Sequence, residues 1–322
     1  MVTHAAYTWL ALALVGMLAL PVHSVTTQPP LPLDAIANFR PVSPTTLPGI
    51  YRAAGLEKAT AADVAEVLDG ARIRTIIDLR NQDEIDKAAK TETDFGRALL
   101  DLFDGQAAVG AGEPASEGSG NLRRFHVPIL EDADAFLEEV AERLPPARKA
   151  QAAFFKGFDG KRYDRLLYDE IARNRQLGLY TVMCKTGAPL IGTALQRIAE
   201  RRGSGAVLFH CAQGKDRTGV LAALLQHTAG EPEESLVAEY AASEENIKEF
   251  EARTGEERDS IDKNGVDWSA LKGSPPEAMT GTLAWLREEH GSIDGFLQSA
   301  LAAEGGLEPW RRQLLDTVRR PA

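Results

Sequence analysis

The sequence predicts an α/β fold. Two short runs, at residues 75–77 and 206–209, have the length of buried strands, and the first is entirely β-branched. The second run leads through a loop into a helical pattern rich in Ala and Leu at residues 217–229. A chain of 322 residues that is 44% hydrophobic is long enough to bury a large core within one α/β unit.

The first 24 residues form a separate segment. Residues 5–20 are almost wholly apolar and uncharged, Pro21 ends the run, and small residues allow cleavage after Ser24. This pattern predicts a signal peptide, with a membrane anchor as the alternative, although no Lys or Arg precedes the run. We therefore expect a secreted or secretory-pathway protein, with a membrane-anchored or cytoplasmic one as alternatives. Membrane contact is expected only if the segment is retained.

A single folded domain is predicted for residues 34–318. A Pro-rich linker at residues 25–33 precedes it. Within the domain, residues 105–120 are rich in Gly, Ala, Ser and Glu, which predicts a flexible surface insertion.

The amino-terminal part of the domain reads as strand, helix and strand. Residues 50–52 predict a short strand. Thr60 is a good N-cap for the helix that follows, and Gly70 ends that helix. The next strand has Asp78 and Arg80 at its carboxyl end, which is the edge where open α/β sheets bind ligands.

The middle of the chain is predicted to be mostly helical. A helical pattern covers residues 133–198, and Gly187 and Pro189 are expected to interrupt it. Further patterns indicate a strand at residues 125–129, helix breaks at 144–146 and 157–160, and helices at 233–257 and 284–303.

The charge and the cysteine count exclude several classes. A net charge of -11 does not favour nucleic acid as a partner, because such binding rests largely on neutralising phosphates. An anionic substrate must therefore meet a local positive field. Cys184 and Cys211 are the two cysteines, too few for a disulfide framework or a zinc site of the CxxC type. A single bridge between them is the alternative, and we expect two free thiols.

The most informative motif is HCAQGKDRTG at residues 210–219. It places Cys211, five residues and then Arg217 between a buried strand and a helix. Such a loop points successive backbone N–H groups inward, and the helix adds its positive end, so a tetrahedral oxyanion fits there. The same field favours a nucleophilic thiolate, and Arg217 supplies a planar fork for two phosphate oxygens. The residues expected to cradle the phosphate are Ala212, Gln213, Gly214 and Lys215.

Three other interpretations of the motif are weaker. A cysteine at a strand end is often a small core residue. A nucleotide-binding P-loop needs Gly and Ser or Thr where Phe209 and Asp216 stand. A sulfur-carrier loop of the rhodanese type does not fit the string from Lys215 to Gly219.

The motif resembles the signature of the protein tyrosine phosphatase superfamily. The GKDRTG variant is similar to its atypical branch, which includes the secreted mycobacterial tyrosine phosphatase and its bacterial and fungal relatives. Residues 38–40 with 50–54, residues 76–80, and the stretch from Ser274 to Leu297 also resemble that branch. The resemblance implies a phosphatase-like fold with a central, mostly parallel sheet flanked by helices and with extra carboxyl-terminal helices.

The resemblance also implies a reaction through a phosphocysteine on Cys211, which requires a general acid. Asp216 is the first candidate for the acid and Asp78 the second, although Asp78 is as well explained by a salt bridge to Arg80 or Arg52. The remaining roles are expected as follows: Thr218 assists the sulfur, His210 orients the loop, Lys215 adds charge at the pocket mouth, and Arg52 and Arg80 lie at the pocket rim. Neither a metal nor another cofactor is implied.

The expected substrates are phosphotyrosine monoesters, with phosphoserine and phosphothreonine as further candidates. Phosphoinositides are the alternative, since the Lys-Asp-Arg loop is also similar to that of phosphoinositide phosphatases. An inactive module that binds phosphoproteins is a weaker alternative, because all the expected loop residues are present.

Overall fold

The computed structural model describes residues 33–104, 122–255 and 268–316. The predicted signal peptide or anchor at residues 1–24 and the predicted insertion at 105–120 lie outside the described residues. The predicted linker lies outside them as well, apart from Leu33. Those assignments therefore stay predictions.

A five-stranded sheet forms the centre of the molecule. Its order is β1-β2-β5-β3-β4, with β1 antiparallel to β2 and every other neighbouring pair parallel. The sheet and the helices around it confirm the predicted α/β class with a mostly parallel sheet. The strands are β1 (Arg40–Ser43), β2 (Leu47–Ala53), β3 (Ile73–Asp78), β4 (Arg123–His126) and β5 (Ala206–His210).

Helices cover both faces of the sheet. Thr60 caps the first of them through a capping box with Asp63, as its sequence position predicts. The described helices are α1 (Ala61–Ala65), α2 (Gln82–Ala88), α3 (Asp94–Asp104), α4 (Ala133–Arg143), α5 (Pro146–Phe158), α6 (Gly160–Arg201), α7 (Asp216–Thr228), α8 (Glu233–Thr254), α9 (Pro276–His290), α10 (Ile293–Ala300) and α11 (Leu307–Asp316).

Helix α6 corrects one prediction. It continues through Gly187 and Pro189, which were expected to interrupt it. The helix bends instead at Arg175, whose φ of 52° is left-handed. On both sides of Pro189, α6 buries side chains such as Cys184 and Leu195 in the core. This packing outweighs the cost of about 3 kcal/mol that a proline imposes inside a helix.

The core lies on both faces of the sheet because strand side chains alternate. Ile77 and Phe209 point into a large cluster with α6, α7 and the carboxyl-terminal helices. Ile76 and Leu208 point into a smaller cluster with α1 and α3 on the other face.

A third cluster lies apart from the sheet. It joins α4, α5 and the first half of α6 through buried residues such as Val140, Ala152 and Leu167. Within the described ranges, no helix combines the length and the apolar character that crossing a membrane requires.

Candidate active site

The motif at residues 210–219 forms a tight loop between β5 and α7. Strands β3 and β5 end side by side, with Asp78 paired to His210 in register. Leu79 donates its backbone N–H to the carbonyl of His210 at 2.9 Å, so the start of the loop is held to the neighbouring strand. Cys211 follows directly and is only 1% exposed. The loop therefore lies where the sequence predicts, at the carboxyl edge of the sheet.

Gly214 allows the loop to turn. Its φ is +63°, a left-handed conformation that favours glycine. A Cβ added there would lie 2.6 Å from the nitrogen of Ala54 and closer still to the carbonyl group of Ala53. No other residue type fits this position without moving β2.

Two side chains hold the loop from beneath through the carbonyl of Gly214. Arg52 donates to it at 2.6 Å, and the amide of Asn38 donates at 2.7 Å. Arg52 is completely buried. It therefore lies under the loop, not at the pocket rim where it was predicted.

Helix α8 anchors these supports. Glu239 forms one ion pair with Arg52 and another, at 2.8 Å, with Arg40. Ser243 accepts a hydrogen bond from each of the same two arginines. Burial, together with the neighbouring charge of Arg52, lowers the pKa of Arg40 to about 9. Glu239 thus pairs with two cations beside the phosphate cradle, the buried Arg52 and the partly buried Arg40.

The thiol of Cys211 sits in a field that favours its ionised form. Burial by itself would raise the pKa, but the charge of Arg217 and the hydroxyl and backbone N–H of Thr218 oppose it. The net effect holds the pKa of Cys211 below its ordinary value. In the described part of the chain, the buried hydroxyl of Thr218 has no nitrogen or oxygen partner, which leaves it for the sulfur.

Arg217 is held by a carboxylate that the sequence did not single out. Its two terminal nitrogens each donate to an oxygen of Glu84 at 2.6 Å. It also reaches the carbonyl of Leu79 at 3.3 Å. Burial would raise the pKa of Glu84, yet Arg217 and the backbone of Asn81 hold it below its ordinary value. The fork expected to grip phosphate is therefore oriented by an ion pair.

Asp216 stands in the first turn of α7, beside the loop. Its carboxylate is 24% exposed and accepts a hydrogen bond at 2.7 Å from the hydroxyl of Tyr180. The hydroxyl of Tyr180 is in turn 2.8 Å from that of Tyr240. Burial and the nearby charge of Asp216 raise the pKa of Tyr180 well above its ordinary value, so it stays a donor.

A cavity opens next to Asp216. Its volume is about 400 Å³, and Gln213 of the loop also lines it. Three of the other lining residues are Trp268, Leu271 and Lys272. Asp216 is thus the loop's carboxylate that faces open space.

Asp78 has a different setting. It is completely buried and forms ion pairs with Arg80 at 2.7 Å and with Arg124 at 2.8 Å. Burial would raise its pKa, but His210 and the two arginines together hold it far below its ordinary value. This geometry matches the salt-bridge interpretation of Asp78 and argues against its use as a proton donor.

Arg80 is part of the same buried network. Besides Asp78 it contacts Glu57, and it is only 2% exposed. Its predicted position at the pocket rim is therefore wrong, because both of its charged partners hold it beneath the surface.

His210 is buried under the loop and uncharged near neutral pH. Burial lowers its pKa to about 4, although Asp78 opposes the shift. Its Nδ1 lies 3.4 Å from the carbonyl of Cys211, and its Nε2 lies 3.6 Å from Asp78. This position fits an orienting residue that need not touch substrate.

Lys215 corrects another prediction. Its ammonium group was expected at the pocket mouth, but the side chain is only 1% exposed. It donates to the backbone carbonyls of Leu271, Lys272 at 3.2 Å and Gly273 at 3.0 Å. Three carbonyl acceptors replace water for the buried charge, and they tie the loop to the segment before α9.

Cys184 lies in α6, completely buried, and both cysteines are free thiols. Burial raises the pKa of Cys184 to about 12. It is therefore an inert core thiol, in contrast to Cys211.

Comparisons with known proteins point to one enzyme family. A model of the tyrosine phosphatase family matches residues 31–316. A tyrosine-protein phosphatase of Nostoc commune is 31% identical over 137 residues, which are 39% of this chain and 44% of that protein. The triple specificity protein phosphatase PtpB of Mycobacterium tuberculosis (strain ATCC 25618 / H37Rv) is 28% identical over 135 residues, 38% of this chain and 49% of that protein. The chain thus spans a little under half the length of these two relatives.

Proposed function

The chain belongs to the tyrosine phosphatase family, and we propose that it is a cysteine-dependent phosphatase whose nucleophile is Cys211. The observation that carries the proposal is the buried Cys211 thiol. Its pKa is lowered by Arg217 and Thr218 in spite of burial. A thiolate in a cradle of backbone N–H groups at a helix end is the arrangement that attack on a phosphate monoester requires.

Binding places the phosphate over the thiolate. Backbone N–H groups of the loop and the start of α7 point at its oxygens, and Arg217 contributes the planar fork. Glu84 takes one N–H from each terminal nitrogen of Arg217. The other N–H of Nη1 faces the carbonyl of Leu79 at 3.3 Å. Nη2 carries a second N–H for phosphate, so the ion pair orients the fork without using it up.

The first chemical step transfers the phosphoryl group to sulfur. The thiolate of Cys211 attacks phosphorus, an S–P bond forms, and the P–O bond to the leaving group breaks. Asp216 in its protonated form gives its proton to the leaving oxygen. Its hydrogen bond from Tyr180 at 2.7 Å keeps the carboxyl group aimed at the cavity.

The second step hydrolyses the phosphocysteine. Asp216, now ionised, takes a proton from water while the water oxygen attacks phosphorus and the S–P bond breaks. The sulfur of Cys211 leaves as a thiolate, stabilised by the hydroxyl of Thr218. Inorganic phosphate and the original protonation states result, so the cycle is balanced.

Phosphotyrosine monoesters are the proposed substrates, with phosphoserine and phosphothreonine as further candidates. Extra phosphates of a phosphoinositide would need a surplus of positive charge beside the cradle. The cavity offers Lys248 and Lys272, but Asp216, Glu244 and Glu251 line it too, and Lys215 is tied to backbone carbonyls. These charges favour the protein substrates over the lipid ones.

A substrate panel tests the proposal. Purified protein is assayed with a phosphotyrosine peptide, a phosphothreonine peptide and phosphoinositides, and phosphate release is measured. We expect the phosphotyrosine peptide to be the best substrate and Cys211→Ser to abolish release from every one. Cys184→Ser is the matched control and should remain active. Release that survives Cys211→Ser would refute the mechanism.

A further inference from the structure

Helix α5 turns aromatic side chains toward solvent. Phe154 is 63% exposed and Phe158 is 83% exposed. Their ring centroids are 5.3 Å apart, so the two rings form one continuous patch. Among the described residues, Leu177 is the other large apolar side chain classed as exposed.

The patch continues as an apolar stripe along the helix. At 100° per residue, the outward side of the helix next to the two phenylalanines carries small apolar residues, and the exposed Gln151 borders Phe158 on the other side. All of them are exposed, and no charged side chain interrupts them. The stripe consists of Ala147, Ala150, Ala153, Phe154, Gly157 and Phe158. Helix α5 thus has two apolar faces: one packs against the rest of the protein, and the other, the stripe, faces solvent.

Positive charge borders the stripe. Helix α5 carries Arg148, Lys149 and Lys156 and no acidic residue, in a chain whose net charge is -11. Lys149 and Lys156 are exposed and lie seven residues apart, on one side of the stripe. The exposed Lys161 follows in the first turn of α6. This combination of cations and aromatic rings is typical of helices that lie in the interface of an anionic membrane.

The rest of the molecule holds α5 in place by its other face. Ala152 is buried in the third cluster, and Phe155 packs against that cluster. Arg148 pairs with Glu170 of α6 at 2.8 Å. The helix therefore presents the stripe as part of a folded unit.

We propose that α5 docks the protein on an anionic lipid bilayer. Phe154 and Phe158 enter the headgroup region, while Lys149, Lys156 and Lys161 contact lipid phosphates or carboxylates. A second copy of this chain is a poorer occupant, because a symmetric contact would bring a second α5, which carries no acidic residue to pair with these lysines. This interaction surface does not depend on the proposed chemistry.

Vesicle flotation tests the proposal with the full chain. The probes are vesicles of phosphatidylcholine alone and vesicles that also contain phosphatidylserine. We expect preferential binding to the anionic vesicles, and a loss of about tenfold or more in Phe154→Ser/Phe158→Ser. Lys149→Glu/Lys156→Glu should lose a similar amount, since each lysine near an anionic surface accounts for several-fold in affinity.

Matched controls separate α5 from other contacts. Lys87→Glu/Lys90→Glu makes the same charge change on exposed lysines elsewhere and should bind like the unaltered chain. Unchanged thermal unfolding midpoints show that the variants are folded.

Three outcomes would overturn the proposal. The first is equal binding by all variants, which would assign any capture to another segment such as residues 5–20. The second is equal binding to neutral and anionic vesicles. The third is a protein that stays off both kinds of vesicle, including the case in which it self-associates through the phenylalanines.

Discussion

At the scale of single residues, the carbonyl of Gly214 is the point where the site is held. Arg52 and Asn38 both donate to it, and the left-handed φ of Gly214 turns it toward them. The loop's shape thus depends on a position where a side chain has no room and on two donors more than 160 residues away in sequence.

Gly214→Ala should therefore damage both stability and activity. We expect a loss of about 1–3 kcal/mol from the left-handed conformation, and more from the overlap with β2. Thermal or urea unfolding measures the loss. Gly230→Ala is the control, because Gly230 also has a positive φ, of 80°, but a Cβ there would meet no atom within 4 Å. Equal losses in the two variants would contradict the tight fit at Gly214.

The buried His210 predicts a pH dependence. Its pKa in the folded protein is about 4, below the ordinary 6.5, so between these values the unfolded chain binds more protons. Stability should fall as pH drops through this window. The expected loss is about 2 kcal/mol between about pH 7 and about pH 5. Urea unfolding should show this loss in the unaltered protein and not in His210→Gln. The same loss in both would show that His210 does not carry it.

At the scale of elements, the start of α2 positions Arg217, the proposed phosphate clamp. Asn81 caps this helix, and Glu84 completes the capping box at the third helical position. The same carboxylate pairs with Arg217 on α7. Glu84 therefore caps α2 and also pairs with Arg217 of α7. This ion pair joins the helices that follow the neighbouring strands β3 and β5.

Glu84→Gln isolates this role, since Gln can still complete the capping box. We expect kcat/KM to fall by about tenfold or more, because the fork of Arg217 loses its fixed orientation. The free energy of unfolding of this variant should also be about 1–2 kcal/mol lower than that of the unaltered protein at neutral pH. Glu92→Gln is the control, as Glu92 pairs with Arg97, which is about half exposed.

The pH dependence of this difference has a definite sign. The folded pKa of Glu84 lies below the ordinary 4.5. Its stabilisation is therefore complete above that value and is lost as pH falls through the folded pKa. The stability difference between the unaltered protein and Glu84→Gln should be largest above about pH 4.5 and shrink in acid. A constant difference across this range would contradict the ion pair.

At the scale of the whole molecule, the sequence predicts the fold class, the family and the loop, because these depend on local patterns. The strand before Cys211 and the helix after it are contiguous in sequence, so their arrangement can be inferred without a structure. The family expected from that loop is confirmed by the match over residues 31–316. The individual roles of the loop residues stay predictions.

Contacts between distant segments could not be predicted in this way. Glu84 meets Arg217 across 133 residues, and Glu239 meets Arg52 across 187. Lys215 was expected at the pocket mouth because a lysine in a sequence gives no sign of three carbonyl acceptors that lie more than 50 residues away. Pro189 was expected to break α6, since its local preference says nothing about the core on both sides.

The proposed mechanism requires Cys211 to carry the phosphoryl group. The direct test is acid quenching of the enzyme during turnover of a radiolabelled substrate, followed by peptide mapping. We predict label on the peptide that contains Cys211, released by iodine, which cleaves S–P bonds, and absent from Cys211→Ser. Turnover with no labelled Cys211 peptide, or label that persists in Cys211→Ser, would contradict the claim.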